Sequence, residues 1–458
     1  NMRLDDEVIR RELYTRPGEL YNQSLLFQTI RTLGSMGHFT AEAIAPDIQP
    51  VVNSDELVDI NWPLEEIASD QFQIAGGWGG GTFVGSVGVT LNNLSIKNFF
   101  KKGAWRPYPM GQNQRLSISA QTNGTYYKAF AISFTDPWMG GRKPNSFTIS
   151  AHYSDENNAY YAWQKGTRYF RTAGVAAGLG KRLDWPDPYF TFYAEASYER
   201  YMLKDWNTFV LKNGAANLLS IRLVLGRNSV DQPIYPRRGS DFSVSVQLTP
   251  PYSLWDGKDY KSTALSEQER YNWIEFHKWM LKGQWFTPLT RNGNLVLMAR
   301  AEMGYLGHYN KNKVSPFERF EVGGDGMTGY NMYGIDIISM RGYDDGALDP
   351  VGSNYSCAYN KYTMELRYPL LLKGQTNIYV LGFLEGGNGF TSWKEFSPFK
   401  IKRSAGRHGG SRLGLGLRPG RRTDQAQRQP HPFHDGYAVL NRRKLAINLK
   451  KQGYTYKR

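Results

Sequence analysis

One arginine is placed to do recognition chemistry. Met340-Arg341-Gly342-Tyr343 sits in a long stretch, 317–354, that carries no regular hydrophobic period. A guanidinium stays charged and presents a planar fork of donors, so it suits bidentate capture of a carboxylate or stacking on a ring, not proton transfer. Candidate partners follow in the chain. In 363–368 the apolar set is Met364, Leu366 and Tyr368, which turns Glu365 to the opposite face. In the next segment Ile378 and Val380 hold the apolar face, which turns Phe383 and Glu385 to the other. Two carboxylates on neighbouring strands would form a negative site that one arginine on an inserted loop could neutralise. Without those strands, an arginine beside a glycine is equally well explained as a turn residue in solvent.

Other chemistry has less behind it. Ser150 and His152 share one face of a strand, but no acid lies at matching spacing to orient the imidazole, as a nucleophile and base would need. Cys357 is the only cysteine, which removes disulfide frameworks and multi-cysteine metal sites. The expectation is no catalytic residue, no metal, no cofactor, and a protein that is not an enzyme.

The elements that would position Arg341 and its partners are strands. From Gln71 to about Gly406 the chain is a succession of period-2 segments: 116–121, 129–134, 147–153, 219–225 and, cleanest, 242–248. Each is about ten residues, the length of a tilted strand across a bilayer. The polar face is mainly Ser, Thr, Gln, Ala and Gly, where a soluble sandwich would carry many Lys and Glu. The content of 30 Tyr, 23 Phe, 12 Trp and 48 Gly with only 21% charged residues fits a barrel with aromatic girdles and a polar lumen. No apolar run approaches the ~18 residues of a helical span, and mean hydropathy is -0.54. The phase sets Phe130, Val244 and Leu366 toward lipid and Ser245 and Glu365 toward the lumen.

Residues 1–70 read differently. Asp5–Leu13 and Ser24–Leu33 are expected helices, broken at Pro17-Gly18, with Leu26, Ile30 and Leu33 on one buried face; His38–Ile44 and Leu57–Leu64 are expected strands. The opening Asn1-Met2-Arg3 has no leader-like pattern and fits a fragment of a longer protein.

With these elements in place, Met340-Arg341-Gly342-Tyr343 resembles the sixth-loop signature of the BamA-type family, which includes TamA, two-partner secretion transporters and organelle import barrels. Phe134-Thr135-Asp136-Pro137-Trp138, Asn98-Phe99-Phe100, Pro236-Arg237-Arg238-Gly239-Ser240 and Arg10-Arg11-Glu12-Leu13 match it in the same register, and the extended aromatic loops look most like Bacteroidetes members. The resemblance implies a mainly β fold, a transmembrane antiparallel barrel of about 16 strands, preceded by a small α/β POTRA domain. It divides the chain into a partial periplasmic POTRA domain at 1–70, an outer-membrane barrel at 71–406 and a tail at 407–458. Arg341 would meet Glu365, Phe383 and Glu385 in the lumen. The implied function is folding and inserting β-barrel proteins through a lateral seam between the first strand, at Phe72, Gly76, Gly77 and Gly79, and the last. The alternative is a TamA-like or two-partner secretion translocator. Implied partners are the outer-membrane bilayer, unfolded β-barrel clients, periplasmic chaperones and accessory lipoproteins, with no nucleic acid.

The last point follows from charge as well. The net charge is +15, but residues from 407 onward hold 13 Lys/Arg against 2 acidic residues, which leaves +4 for the rest. The tail also departs from the family's terminal aromatic strand. Synonymous codons exist for Arg407 onward that, read one nucleotide later, encode two closing strands ending in Phe and a stop. The expectation is a frameshifted tail, with the last strands missing or malformed.

Overall fold

The computed structural model describes residues 3–411 apart from 41–43, 52–56, 80–81, 102, 104, 106, 160–165, 233–234, 263, 325–333, 351–354 and 374–375. The N-terminal module begins with α1 (Asp6–Arg10) and α2 (Gln23–Met36). The Asn22 side chain accepts the Ser24 amide at 2.8 Å to cap α2, and Gly37 at φ 72° ends it. Val8, Ile9, Leu33, Phe39 and Ile44 share the module's core. Of the expected strand at 38–44, residues 41–43 lie outside the described residues. Phe39 joins Glu66 by an isolated bridge, and β1 (Asp47–Pro50) comes later, paired with β2 (Val58–Asn61), shorter than the expected 57–64. Phe39 and Ile44, at the described ends of that segment, both pack into the module's core.

The chain then forms β3 (Gln71–Gly79), β4 (Thr82–Leu94), β5 (Gln114–Asn123), β6 (Tyr127–Asp136), β7 (Asn145–Asn157), β8 (Tyr169–Arg182) and β9 (Phe190–Lys204). It continues with β10 (Gly214–Asn228), β11 (Gly239–Leu248), β12 (His277–Pro288) and β13 (Val296–Gly307). After a long loop containing β14 (Arg319–Val322) and β15 (Ile335–Ile338) come β16 (Ala358–Lys373), β17 (Thr376–Phe390) and β18 (Lys402–Ser411). All but β14 and β15 of these join one 14-stranded antiparallel sheet in chain order, with β16 beside β13.

Register sorts the two faces of this sheet. Ile118 stands opposite Ile132, and Val175, Tyr198 and Leu219 continue the same row; these five are 36–55% exposed. One residue along, Ser117, Ser133, Ser150, Ala176, Ser197 and Ser220 form a row on the other face, with the Ser197 and Ser220 hydroxyls 2.8 Å apart. Apolar side chains outside and small polar ones inside are what a bilayer demands of a barrel and the reverse of what a soluble sandwich tolerates. Phe130, Val244 and Leu366 lie on the exposed face, while Glu365 is buried.

The chain's later end has its own register. The described residues contain 14 sheet strands, fewer than the about 16 of the family barrel, in line with the expectation that the last strands are missing. The β18 backbone stays paired with β17 as far as Ser411, opposite Ile378, so the sheet continues past 406. The tail from 412 to 458 lies outside the described residues. At the other edge, β3 pairs with β4, with Phe72 opposite Val89, Gly76 opposite Gly85, Gly77 opposite Val84 and Gly79 opposite Thr82; among the described residues no strand pairs with its second side.

Candidate functional site

The stretch expected to be an unpatterned loop has its own structure. β14 and β15 pair in parallel, Arg319 opposite Ile335 and Val322 opposite Ile338. Phe317, Phe320, Val322, Ile335, Ile338, Met340 and Leu348 pack with Phe170, Tyr201 and Tyr359 of the barrel wall, and the Phe317 ring stacks on Tyr201 with centroids 4.2 Å apart. The loop therefore builds a dry core against a lumen wall that is otherwise polar. Its period was illegible because each apolar residue answers to the wall and not to a helix or a long ladder.

Arg341 follows this core. Its Nη2 donates to Glu365 Oε1 at 2.7 Å, its Nε lies 3.3 Å from Glu385 Oε2, and its backbone amide donates to the same Oε2 at 2.8 Å. The guanidinium carbon sits 3.9 Å from the Phe383 ring centroid. Arg341 and the three residues that phase assigned to the inner face, Glu365, Phe383 and Glu385, come together. Met340 is fully buried beside them, and Tyr343 packs at the edge of the same core. Gly342 has φ 89°, a left-handed conformation that a side chain would strain, and it turns the chain directly after the arginine.

The acids are not alone with Arg341, which sequence reading missed. Arg367 Nη2 donates to Glu365 Oε2 at 2.7 Å, and Lys361 Nζ is 3.4 Å from Glu385 Oε1. Thr363 Oγ1 donates to Glu385 Oε1 at 2.9 Å. Three cations serve two carboxylates. Lys361, Thr363 and Arg367 sit at the odd positions of β16 that also hold Glu365, so the phase that found Glu365 was sufficient to find them.

A second latch holds the loop against the wall at β9 and β12. Lys278, buried on β12, reaches Glu318 Oε2 at 3.0 Å and Asp336 Oδ2 at 2.7 Å. Tyr201 OH donates toward Glu199 Oε2 at 2.7 Å and Glu318 Oε1 at 3.1 Å. Between the latches, Asp349 accepts from the Val322 amide at 3.2 Å and from the Ser356 hydroxyl at 2.5 Å; burial pushes its carboxyl up to about 7.

The N-terminal module meets the barrel through residues of two matched stretches. Glu12 is buried, accepting from Trp138 Nε1 at 2.5 Å and from Arg182 Nη1 at 2.7 Å. Arg31 reaches the Asn228 carbonyl and lies over the Tyr189 ring at 4.6 Å. The module thus docks on the turns at one end of the strands, opposite the end that carries the latched loop. Ser150 and His152 face the lumen on β7, and among the described residues no cluster of three or more His, Cys, Asp or Glu could hold a metal.

Residues 110–419 match the profile of the Omp85 superfamily domain. The chain belongs to the Omp85 superfamily. Residues 1–66 match the POTRA profile, described as a surface antigen variable number repeat. The outer membrane protein assembly factor BamA of Neisseria meningitidis serogroup B is 24% identical over 389 residues, 80% of this chain and 41% of that protein. Outer envelope protein 80, chloroplastic, of Oryza sativa is 24% identical over 381 residues, 80% of this chain and 49% of that protein. The chain therefore spans under half the length of these relatives. Among solved structures, BamA from Haemophilus ducreyi lacking POTRA domains 1–3 superposes with a TM-score of 0.51 at 18% identity, over 88% of this chain and 75% of that one. CdiB from Escherichia coli gives 0.52 at 13%, over 89% and 67%. As an Omp85 protein, the chain places its barrel in an outer membrane and its POTRA module on the periplasmic side, which makes the loop between β13 and β16 extracellular.

Proposed function

We propose that this Omp85 chain is the barrel and membrane-proximal POTRA module of a factor that folds and inserts β-barrel proteins into the outer membrane. The observation that carries the reading is the double latching of the long loop. Arg341 ties it to β16 and β17 while Lys278 ties it to β12, so the loop crosses the lumen and its release would break two buried ionic clusters. A client that threads the lumen must break both, whereas one that adds to the edge of β3 breaks neither. That edge offers backbone donors and acceptors that no strand of the described residues pairs, and the glycines at 76, 77 and 79 lower the cost of separating it. The seam opens, a client strand augments β3, and no covalent chemistry or cofactor takes part. The POTRA module receives unfolded clients from periplasmic chaperones and contacts accessory lipoproteins. The second reading, a translocator, is favoured by the likeness to CdiB in fold.

The test is reconstitution of the full-length protein in phospholipid vesicles with a urea-unfolded β-barrel client and a photocrosslinker at Gln73 on β3. Assembly predicts faster client folding, read as a mobility shift on unheated gels, together with crosslinks from Gln73 to the client. Passage of a polypeptide to the vesicle interior without such crosslinks would instead establish the translocator.

A further inference from the structure

Between β4 and β5, residues 95–113 make the longest of the turns on the POTRA side. This turn has a firm base and an apolar tip. The Ser95 amide donates to the Pro109 carbonyl at 2.8 Å, and Asn98, buried, donates through Nδ2 to the Met110 carbonyl at 3.0 Å. Beyond that base, Ile96, Phe99, Phe100 and Trp105 are 55, 49, 92 and 48% exposed. They are not scattered: the Phe99 ring lies 5.4 Å from both Phe100 and Trp105, and Trp105 Nε1 donates to the Phe99 carbonyl at 3.0 Å. A preformed aromatic cluster of this size left in water is unfavourable, which points to a partner.

Position and charge identify it. The Ile96 amide donates to Gln114 Oε1 at 2.8 Å, and Gln114, buried under the turn, shares along β5 the parity of the lipid-facing Leu116 and Ile118. The turn therefore continues the barrel's apolar belt beyond its periplasmic rim. Residues 95–113 contain Lys97, Lys101, Lys102 and Arg106 and no Asp or Glu. Aromatic rings with neighbouring cations are the composition of a headgroup interface, where amphipathic rings sit at the carbonyl level and basic side chains reach the phosphates. Tyr108 OH donates to Asp70 Oδ1 at 2.7 Å, so the turn is also tied to the residues that enter β3.

We propose that this turn is an anchor in the periplasmic leaflet, its aromatic cluster at carbonyl depth and Lys97 and Lys101 on the phosphates of anionic phospholipids. It fixes the periplasmic root of β3 against the bilayer, leaving the glycine-rich far end of that strand held by its pairing with β4.

The experiment uses the full chain carrying Cys357→Ser with Phe100→Cys labelled by a bimane fluorophore, in phosphatidylcholine vesicles with and without phosphatidylglycerol. A Glu19→Cys label, on the exposed surface of the POTRA module, is the aqueous control. The Phe100 label should be quenched by lipids brominated near the headgroup and be several-fold less accessible to iodide than the control. Phosphatidylglycerol should increase that protection, and Lys97→Gln with Lys101→Gln should abolish the increase. Iodide quenching equal to the control, or none by brominated lipid, would overturn the anchor. Protection that is indifferent to phosphatidylglycerol would overturn its anionic-lipid specificity. Heat-modifiable gel mobility confirms that each variant is folded.

Discussion

Glu365 stands directly opposite Phe383 in the ladder between β16 and β17. The carboxylate and the ring that receive Arg341 are thus set against each other by backbone pairing, before the loop arrives. Thr363 opposite Glu385 fixes the second carboxylate in the same way. A receptor built into a ladder is rigid, and the loop supplies only the guanidinium.

Replacing that guanidinium should loosen the loop without collapsing the wall. In Arg341→Ala, Arg367 and Lys361 still neutralise Glu365 and Glu385, so the loss is that of the charged hydrogen bonds, about 2–3 kcal/mol. Protease cleavage within 317–354 should rise accordingly, and Arg341→Lys should restore less than half, since a compact ammonium lacks the planar, pre-organised fork that reaches both carboxylates while lying flat on the Phe383 ring. Wild-type cleavage rates in the alanine variant would show that Arg341 does not hold the loop.

The second latch should be the costlier one to break. Lys278 is fully enclosed, and Lys278→Met leaves Glu318 without its cation at a cost of about 3–5 kcal/mol. Adding Glu318→Gln and Asp336→Asn removes the stranded charge, so the triple variant should recover much of the loss. The midpoint of loop exposure in urea, followed by pulse proteolysis, reads both. Equal midpoints for the single and triple variants would sink the ion-pair account.

Loop stability should also fall with pH over a defined window. Burial raises the Asp349 carboxyl from 3.8 to about 7. The folded loop therefore prefers the neutral acid, a preference fully expressed below about 3.8 and lost as pH rises through about 7. Loop protection measured by hydrogen exchange should decline across that range in the parent and stay flatter in Asp349→Asn. Parallel pH curves for the two proteins would contradict it.

Adjacent positions on one strand should respond oppositely to charge. Ile132→Arg places a cation in hydrocarbon near the middle of β6 and should destabilise the barrel by roughly 2–4 kcal/mol. Ser133→Arg points into the polar lumen and should be tolerated far better. Refolding yield into vesicles measures the contrast, and similar losses at both sites would contradict the assigned faces.

Period and phase alone determined much of this molecule. A two-residue alternation has only two outcomes per strand, so once Met364 and Leu366 faced lipid, Glu365 had to face the lumen, and the same arithmetic delivered Phe383 and Glu385. The N-terminal helices were legible for the same reason, through Leu26 and Leu33 on one face. What only the tertiary structure decided lies where no period constrains the chain. Glu318 and Asp336 meet Lys278 because the loop folds across the lumen onto a strand some forty to sixty residues away in sequence, a contact that depends on the barrel's curvature. Phe39 and Ile44 read as part of a strand yet both supply core side chains, because burial beneath a helix and pairing in a sheet leave the same mark on a short sequence.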